Sequence, residues 1–242
     1  MNQAKIWSVL MMRTVFFLVS GLLMIGIFSG LGTEDAMKEA EKWWPFQAIL
    51  ANIASFLVLK SLLKKEGKSY NSILHFKKGK TGKDVGKGLL YLLISFPFAA
   101  LGLYGLSYLI LGDVQPPTNM MQAIPTGAAI IALIVFPISN ALVELPTYFG
   151  YVFPRIEKKW GITAIAIILP AIFLSIQHGP LPIVLDGSYI IWRLFAFLPL
   201  ALVVGLIFHK TRNITPLIFA HFVMDLQMVV YVLLASLGYP IS

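Results

Sequence analysis

The feature that most limits what this chain can become is a succession of long, apolar, nearly charge-free runs. Seven can be counted, at roughly 14–31, 44–60, 89–111, 126–149, 161–178, 189–208 and 215–237. About 20 apolar residues in a helix cross the hydrocarbon core of a bilayer, and backbone polar groups at that depth must be satisfied within the segment. The runs are continuous and do not alternate, which favours helices over a strand barrel. Only 12% of residues are charged while 58% are apolar, too little charge to cover a soluble surface. The expected fold class is all-α: a polytopic transmembrane helix bundle of about seven spans, with residues 1–242 as a single transmembrane domain. The first run has a basic flank, Lys5 and Arg13, like a signal peptide. It is long for a cleaved segment and no A-x-A site follows, so it reads as a retained anchor.

Charge in the connecting loops alternates. The first loop is acidic on balance. The second, about 61–88, holds eight lysines: Lys64, Lys65, Lys68, Lys77, Lys78, Lys80, Lys83 and Lys87. The third and fifth carry only Asp113 and Asp186, whereas the fourth and sixth are basic. By the positive-inside rule the N-terminus is cytoplasmic, the lysine-rich loop is cytoplasmic, and the C-terminus is outside after seven spans. Short loops suit a bacterial plasma membrane. The net charge of +8 is thereby a matter of topology and of anionic lipid headgroups, with the bilayer as partner and no nucleic acid. The lysine-rich loop is expected to be flexible. Trp43, Trp44 and Trp160 fit an interfacial aromatic belt, the Gly26–Gly30 spacing allows close helix approach, and Arg193 is placed to snorkel outward. Oligomeric state is not legible.

Ionisable groups within hydrocarbon are costly and mark function. Of eleven acids, only Glu144 and Asp225 lie inside runs, and two of the four histidines, His178 and His221, lie within or at the end of runs. His221 and Asp225 are four apart and share a helix face. Pro216 suits a first helical turn with Thr215 as its cap. Pro146 cannot donate to the carbonyl of Leu142 and perturbs the helix beside Glu144. His178 ends its run in Gln177-His178-Gly179-Pro180. A carboxylate in a low-dielectric pocket is a candidate general base for water, a histidine can position that water, and a second histidine beside Asp225 can donate to a developing oxyanion. The same set could instead ligate Zn²⁺, but no H-E-x-x-H favours it. The absence of cysteine removes thiolate ligands and nucleophiles. Ser139 and Ser175 lack an evident orienting partner. The expected site is therefore Glu144, His178, His221 and Asp225, with no cofactor and Zn²⁺ as the runner-up. Counted along helices from the expected cytoplasmic ends, Glu144 lies about 14 Å deep, His221 about 8 Å and His178 about 25 Å, a spread too wide for one site.

These residues resemble the CPBP intramembrane protease family, which includes CaaX-prenyl proteases and bacteriocin-processing and immunity proteins. Its pattern is Glu-Glu-x-x-x-Arg, then Phe-x-x-x-His, then His-x-x-x-Asn/Asp. Here these stand as Glu144-Leu145-Pro146-Thr147-Tyr148-Phe149, Leu174-Ser175-Ile176-Gln177-His178 and His221-Phe222-Val223-Met224-Asp225. The resemblance covers about 126–237. It departs at Leu145 and Phe149, where the second Glu and the Arg would stand, and at Leu174, which Phe173 precedes. The resemblance implies an endopeptidase acting on peptide or protein substrates at the membrane, with prenylated tails and leader peptides as candidates. It implies Glu144 as water activator helped by His178, and His221 with Asp225 at the oxyanion. Two other readings compete. One is an inactive family member serving as a bacteriocin-immunity or regulatory protein. The other is a proton-coupled transporter, against which stand the lack of an internal repeat and the presence of only two intramembrane acids.

Overall fold

The computed structural model describes residues 3–240, and the described residues form helices and connecting turns without strands. The elements are α1 (Gln3–Gly30), α2 (Ala36–Lys42), α3 (Trp44–Lys65), α4 (Asn71–Leu74), α5 (Thr81–Leu111), α6 (Thr126–Trp160), α7 (Thr163–Ile176), α8 (Gly187–Thr211) and α9 (Thr215–Ser236). Six are long and apolar enough to cross a membrane, and α7, with 14 residues, is a shorter apolar helix. All seven expected runs are therefore helical, and the protein is an integral membrane protein. α6 is central, packed against α9 on one side and α3 on the other, while α1 lies against α3 and α7.

Proline shapes the two longest helices. In α5, Pro97 cannot donate to the preceding turn, and the helix widens into a π turn over Leu101–Gly105. That turn seats Gly102 against the carbonyl of Ala196, where α8 itself is interrupted between Phe195 and Leu198. In α6, the segment after Glu144 becomes a fully buried π stretch, Pro146–Val152. The carbonyl that Pro146 leaves without a donor, that of Leu142, accepts instead from the Tyr70 hydroxyl at 3.0 Å. The next, that of Val143, accepts from Thr147 Oγ1 at 2.6 Å. The expected perturbation at Pro146 is thus a widened turn, with its freed carbonyl satisfied by a neighbouring segment as burial requires.

The lysine-rich connection is more ordered than expected. Its short helix α4 buries Ile73 and Leu74, the Ile73 carbonyl packs so closely on Gly150 that a Cβ there would lie 2.8 Å from it, and the Leu74 carbonyl accepts from Thr215 Oγ1 at 2.8 Å. Thr215 is consequently not a helix cap; its backbone N–H is taken by Asn213 Oδ1 at 3.2 Å.

Three further expectations are corrected. Trp44 is in the core rather than an interfacial belt, 1% exposed, with its indole N–H donating to Met120 O at 2.8 Å. Gly26 and Gly30 meet no neighbour within 4 Å; the close approach in α1 is at Gly21, against Gln47 and Ile183. Arg193 does not snorkel: it is 3% exposed and donates to Leu181 O at 2.7 Å.

The conflict over depth also resolves. α6 runs on to Trp160, and only Gly161–Ile162 separates it from α7. Measured from that shared turn at 1.5 Å per residue, Glu144 and His178 both lie roughly 22–24 Å away. α9 starts at Thr215, which is covered by α4, and His221, six residues on, still comes within 3.2 Å of Glu144.

Candidate active site

Glu144 ends the regular part of α6 and is 1% exposed. One of its carboxylate oxygens, Oε2, is clamped: Arg13 Nη2 lies at 3.2 Å and Asn140 Nδ2, one turn earlier on α6, at 3.4 Å. The other, Oε1, is buried and has no hydrogen-bond donor among the described residues. His221 Nε2 stands 3.2 Å from Oε1, at ion-pair distance but outside hydrogen-bond geometry. The same nitrogen lies 3.4 Å from Asp225 Oδ2, one turn on along α9. Asn140 Nδ2 stands 3.2 Å from His221 Nε2 and donates to Asp225 Oδ2 at 3.1 Å. Glu144, His221 and Asp225 thus meet around one amide, the side chain of Asn140. Its orientation is fixed because its Oδ1 accepts from Arg13 Nη2 at 2.9 Å.

His178 is brought near but not into contact. It is within electrostatic range of Glu144, and no hydrogen bond joins it to Glu144, His221 or Asp225 among the described residues. Its Nδ1 donates to Leu174 O at 2.9 Å and its ring stacks on Phe197 with centroids 3.9 Å apart. With Nδ1 carrying the proton, Nε2 is the free acceptor of the neutral ring.

Arg13, read from sequence as a basic flank, is 0% exposed and lies beneath the site. Besides Glu144 and Asn140, its guanidinium donates to Gln177 Oε1 at 2.7 Å and Asn52 Oδ1 at 2.8 Å. It joins α1, α3, α6 and the turn after α7 at one point. Gln177 Oε1 also accepts from the Tyr148 hydroxyl at 3.1 Å, which fixes the backbone next to His178. Of the serines, Ser139 accepts from Asn52 and Ser175 donates to Leu194 O, so both are structural links. The residues that sequence reading missed are Arg13, Asn52, Asn140 and Gln177. One signal for Arg13 was available: the helix-favouring sequence begins near Gln3, which places residue 13 three turns inside the helix rather than at its rim.

Residues 125–227 match the family model described as type II CAAX prenyl endopeptidase, Rce1-like. The Rce1-like segment contains Glu144, His178, His221 and Asp225, and it agrees with the CPBP resemblance read from the three motifs. No curated protein and no solved structure matches the chain. The match supports a CAAX-type protease role at the membrane in general terms. Where the motif would have its second Glu and its Arg, Leu145 (2% exposed) and Phe149 (0%) are packed into the apolar core. The guanidinium facing Glu144 comes instead from α1, outside the Rce1-like segment. As for a metal, no group of three or more His, Asp or Glu side chains among the described residues is arranged to hold an ion. The Glu144 oxygen most firmly held is the one against Arg13, where a cation would be repelled.

Proposed function

We propose that the protein is a metal-free intramembrane endopeptidase that hydrolyses peptide bonds of membrane-associated substrates with a water activated by Glu144. The observation that carries this reading is the asymmetry of the Glu144 carboxylate. Oε2 is held by Arg13 and Asn140, while Oε1 is buried and open to accept a hydrogen. A carboxylate so oriented is a general base with one basic lone pair aimed at a single place. Glu144 takes a proton from water as the water oxygen bonds to the peptide carbonyl carbon. The carbonyl π electrons move to oxygen, and that oxyanion is met by the Nε2–H of His221. Asp225 orients His221 and Asn140 through Oδ2. On collapse the C–N bond breaks, and the leaving nitrogen takes the proton held by Glu144. His178 serves the water through its free Nε2. The substrates this fits are prenylated or leader peptides lying along the bilayer, in the plasma membrane of a bacterium, with the N-terminus cytoplasmic.

The test is cleavage by the full chain in proteoliposomes. Internally quenched peptides, with and without a prenylated cysteine, are compared for the wild-type protein and Glu144→Gln. The amide keeps the shape but cannot accept the proton, and general-base catalysis contributes about 10²–10⁴-fold. A loss of that size with an unchanged fold supports the assignment. Equal turnover by both proteins eliminates Glu144 as the base, and no turnover by either points to an inactive member.

A further inference from the structure

At the end of the bundle where α5 and α9 begin and α8 ends, a hollow of about 490 Å³ is lined by Lys77, Lys80, Lys83, Lys87, His75 and Arg212. One carboxylate, Asp84 in the first turn of α5, also lines the hollow, so four lysines face a single acid there. Asp84, 6% exposed, accepts from Asn213 at 3.3 Å, and Arg212 is held bidentately by Glu157 at 2.6 and 2.7 Å. Lys77, Lys80, Lys83 and Lys87 have no acidic partner within 4.0 Å among the described residues. Lys80, Lys83 and Lys87 recur at helical spacing along the start of α5, so the helix holds them on one side instead of letting them splay. The other wall is equally fixed. His75 stacks on Phe208, interplanar angle 9°, with its backbone in the left-handed region at φ 60° and its Nδ1 unpartnered. Like charges gathered within a Debye length repel unless an anion joins them.

We propose that this hollow is a binding site for a phosphate-bearing anion, and that the source is an anionic phospholipid. Chemistry and place both argue for it. Lysine ammonium groups bind phosphate as point charges. The first turn of α5 has no side-chain cap, so its N–H groups add to the positive field. Burial, and then the nearby Lys77, hold the His75 imidazole below its ordinary value. Three spanning helices have an end here, which sets the hollow at headgroup depth. Its size is within the range of small-molecule sites. An occupant would bridge the start of α5 to the segment that leads into α9, the helix carrying His221 and Asp225.

The experiment uses the full chain in nanodiscs of phosphatidylcholine alone or with phosphatidylglycerol. Retained lipid is read by native mass spectrometry and stability by thermal unfolding. Inorganic phosphate is titrated into the phosphatidylcholine discs as a second arm. Two double variants carry the same charge change: Lys80→Glu/Lys83→Glu in the hollow, and Lys64→Glu/Lys65→Glu outside it. Lys80→Gln/Lys83→Gln covers a folding defect in the first. The hollow variants are expected to lose phosphatidylglycerol retention about tenfold or more, at the usual strength of a surface lysine toward anionic lipid, while the outside pair stays near wild type. A response to phosphatidylglycerol but not phosphate assigns the lipid, and a response to phosphate alone moves the source to a soluble phosphate while keeping the site. Equal losses in both charge-reversed variants, or no loss in the hollow variants, overturn the proposal.

Discussion

Replacing Arg13 with methionine tests the central physical claim about the site, that a cation from the first helix compensates the Glu144 carboxylate. Arg13 is 0% and Glu144 1% exposed, and the guanidinium makes four side-chain hydrogen bonds at 2.7–3.2 Å. Methionine fills similar volume but leaves a buried carboxylate without its cation. Removing one partner of a buried pair costs about 3–5 kcal/mol. For a chain of this size that lowers the unfolding midpoint by roughly 6–20 °C. Glu144→Gln is milder, because Arg13 keeps the amide oxygens of Asn52, Asn140 and Gln177, and about 1–3 kcal/mol is expected. In the double variant the uncompensated charge is gone. Arg13→Met/Glu144→Gln should therefore be less destabilised than the sum of the single variants by about 1–3 kcal/mol. Thermal unfolding of all four proteins in the same nanodisc, followed by tryptophan fluorescence, gives the cycle. If Arg13→Met unfolds with the wild type, or if the two changes are additive, Arg13 is not the counter-charge.

The remaining predictions are independent of that cycle. Gly102→Ala should lower the unfolding midpoint clearly, because its Cβ would overlap the Ala196 carbonyl, whereas Gly26→Ala, with nothing within 4 Å, should leave it unchanged; matching midpoints would contradict the α5–α8 contact. Burial alone would raise the Glu66 carboxyl, but hydrogen bonds from Arg155 and Tyr151 hold it below its ordinary value. A depressed folded value stabilises above the unfolded value of about 4.3 and is lost as pH falls through the folded one. Glu66→Gln should accordingly flatten the fall in thermal midpoint below about pH 4.5, and parallel acid profiles would refute the assignment. Tyr70→Phe removes the donor to the Leu142 carbonyl and should destabilise by about 1–3 kcal/mol, measured by the same unfolding assay.

Some of this was legible one residue at a time. Glu144, His221 and Asp225 could be found without coordinates, because an ionisable side chain inside an apolar run is conspicuous by its transfer cost. A perturbed helix beside Glu144 followed from the missing N–H of Pro146, read as a kink, whereas the structure makes it a widened turn. Arg13 was not found, because a basic residue near the edge of a run is ordinarily interfacial, and the apolar count began after it. Asn52, Asn140 and Gln177 were passed over because a neutral amide in a helix has many harmless explanations until its partners are known.

Local patterning alone therefore determined the class of fold, the helices and the identity of the costly side chains. These depend on the transfer energy and periodicity of each segment. The tertiary structure decided which groups share the pocket. It drew Arg13 from α1 under Glu144, left His178 near but out of hydrogen-bond reach, turned Arg193 inward, and sent the Tyr70 hydroxyl to the Leu142 carbonyl. Such pairings join positions far apart in the chain. Each depends on helix depth and rotation, which are fixed only when every segment packs against the others at once.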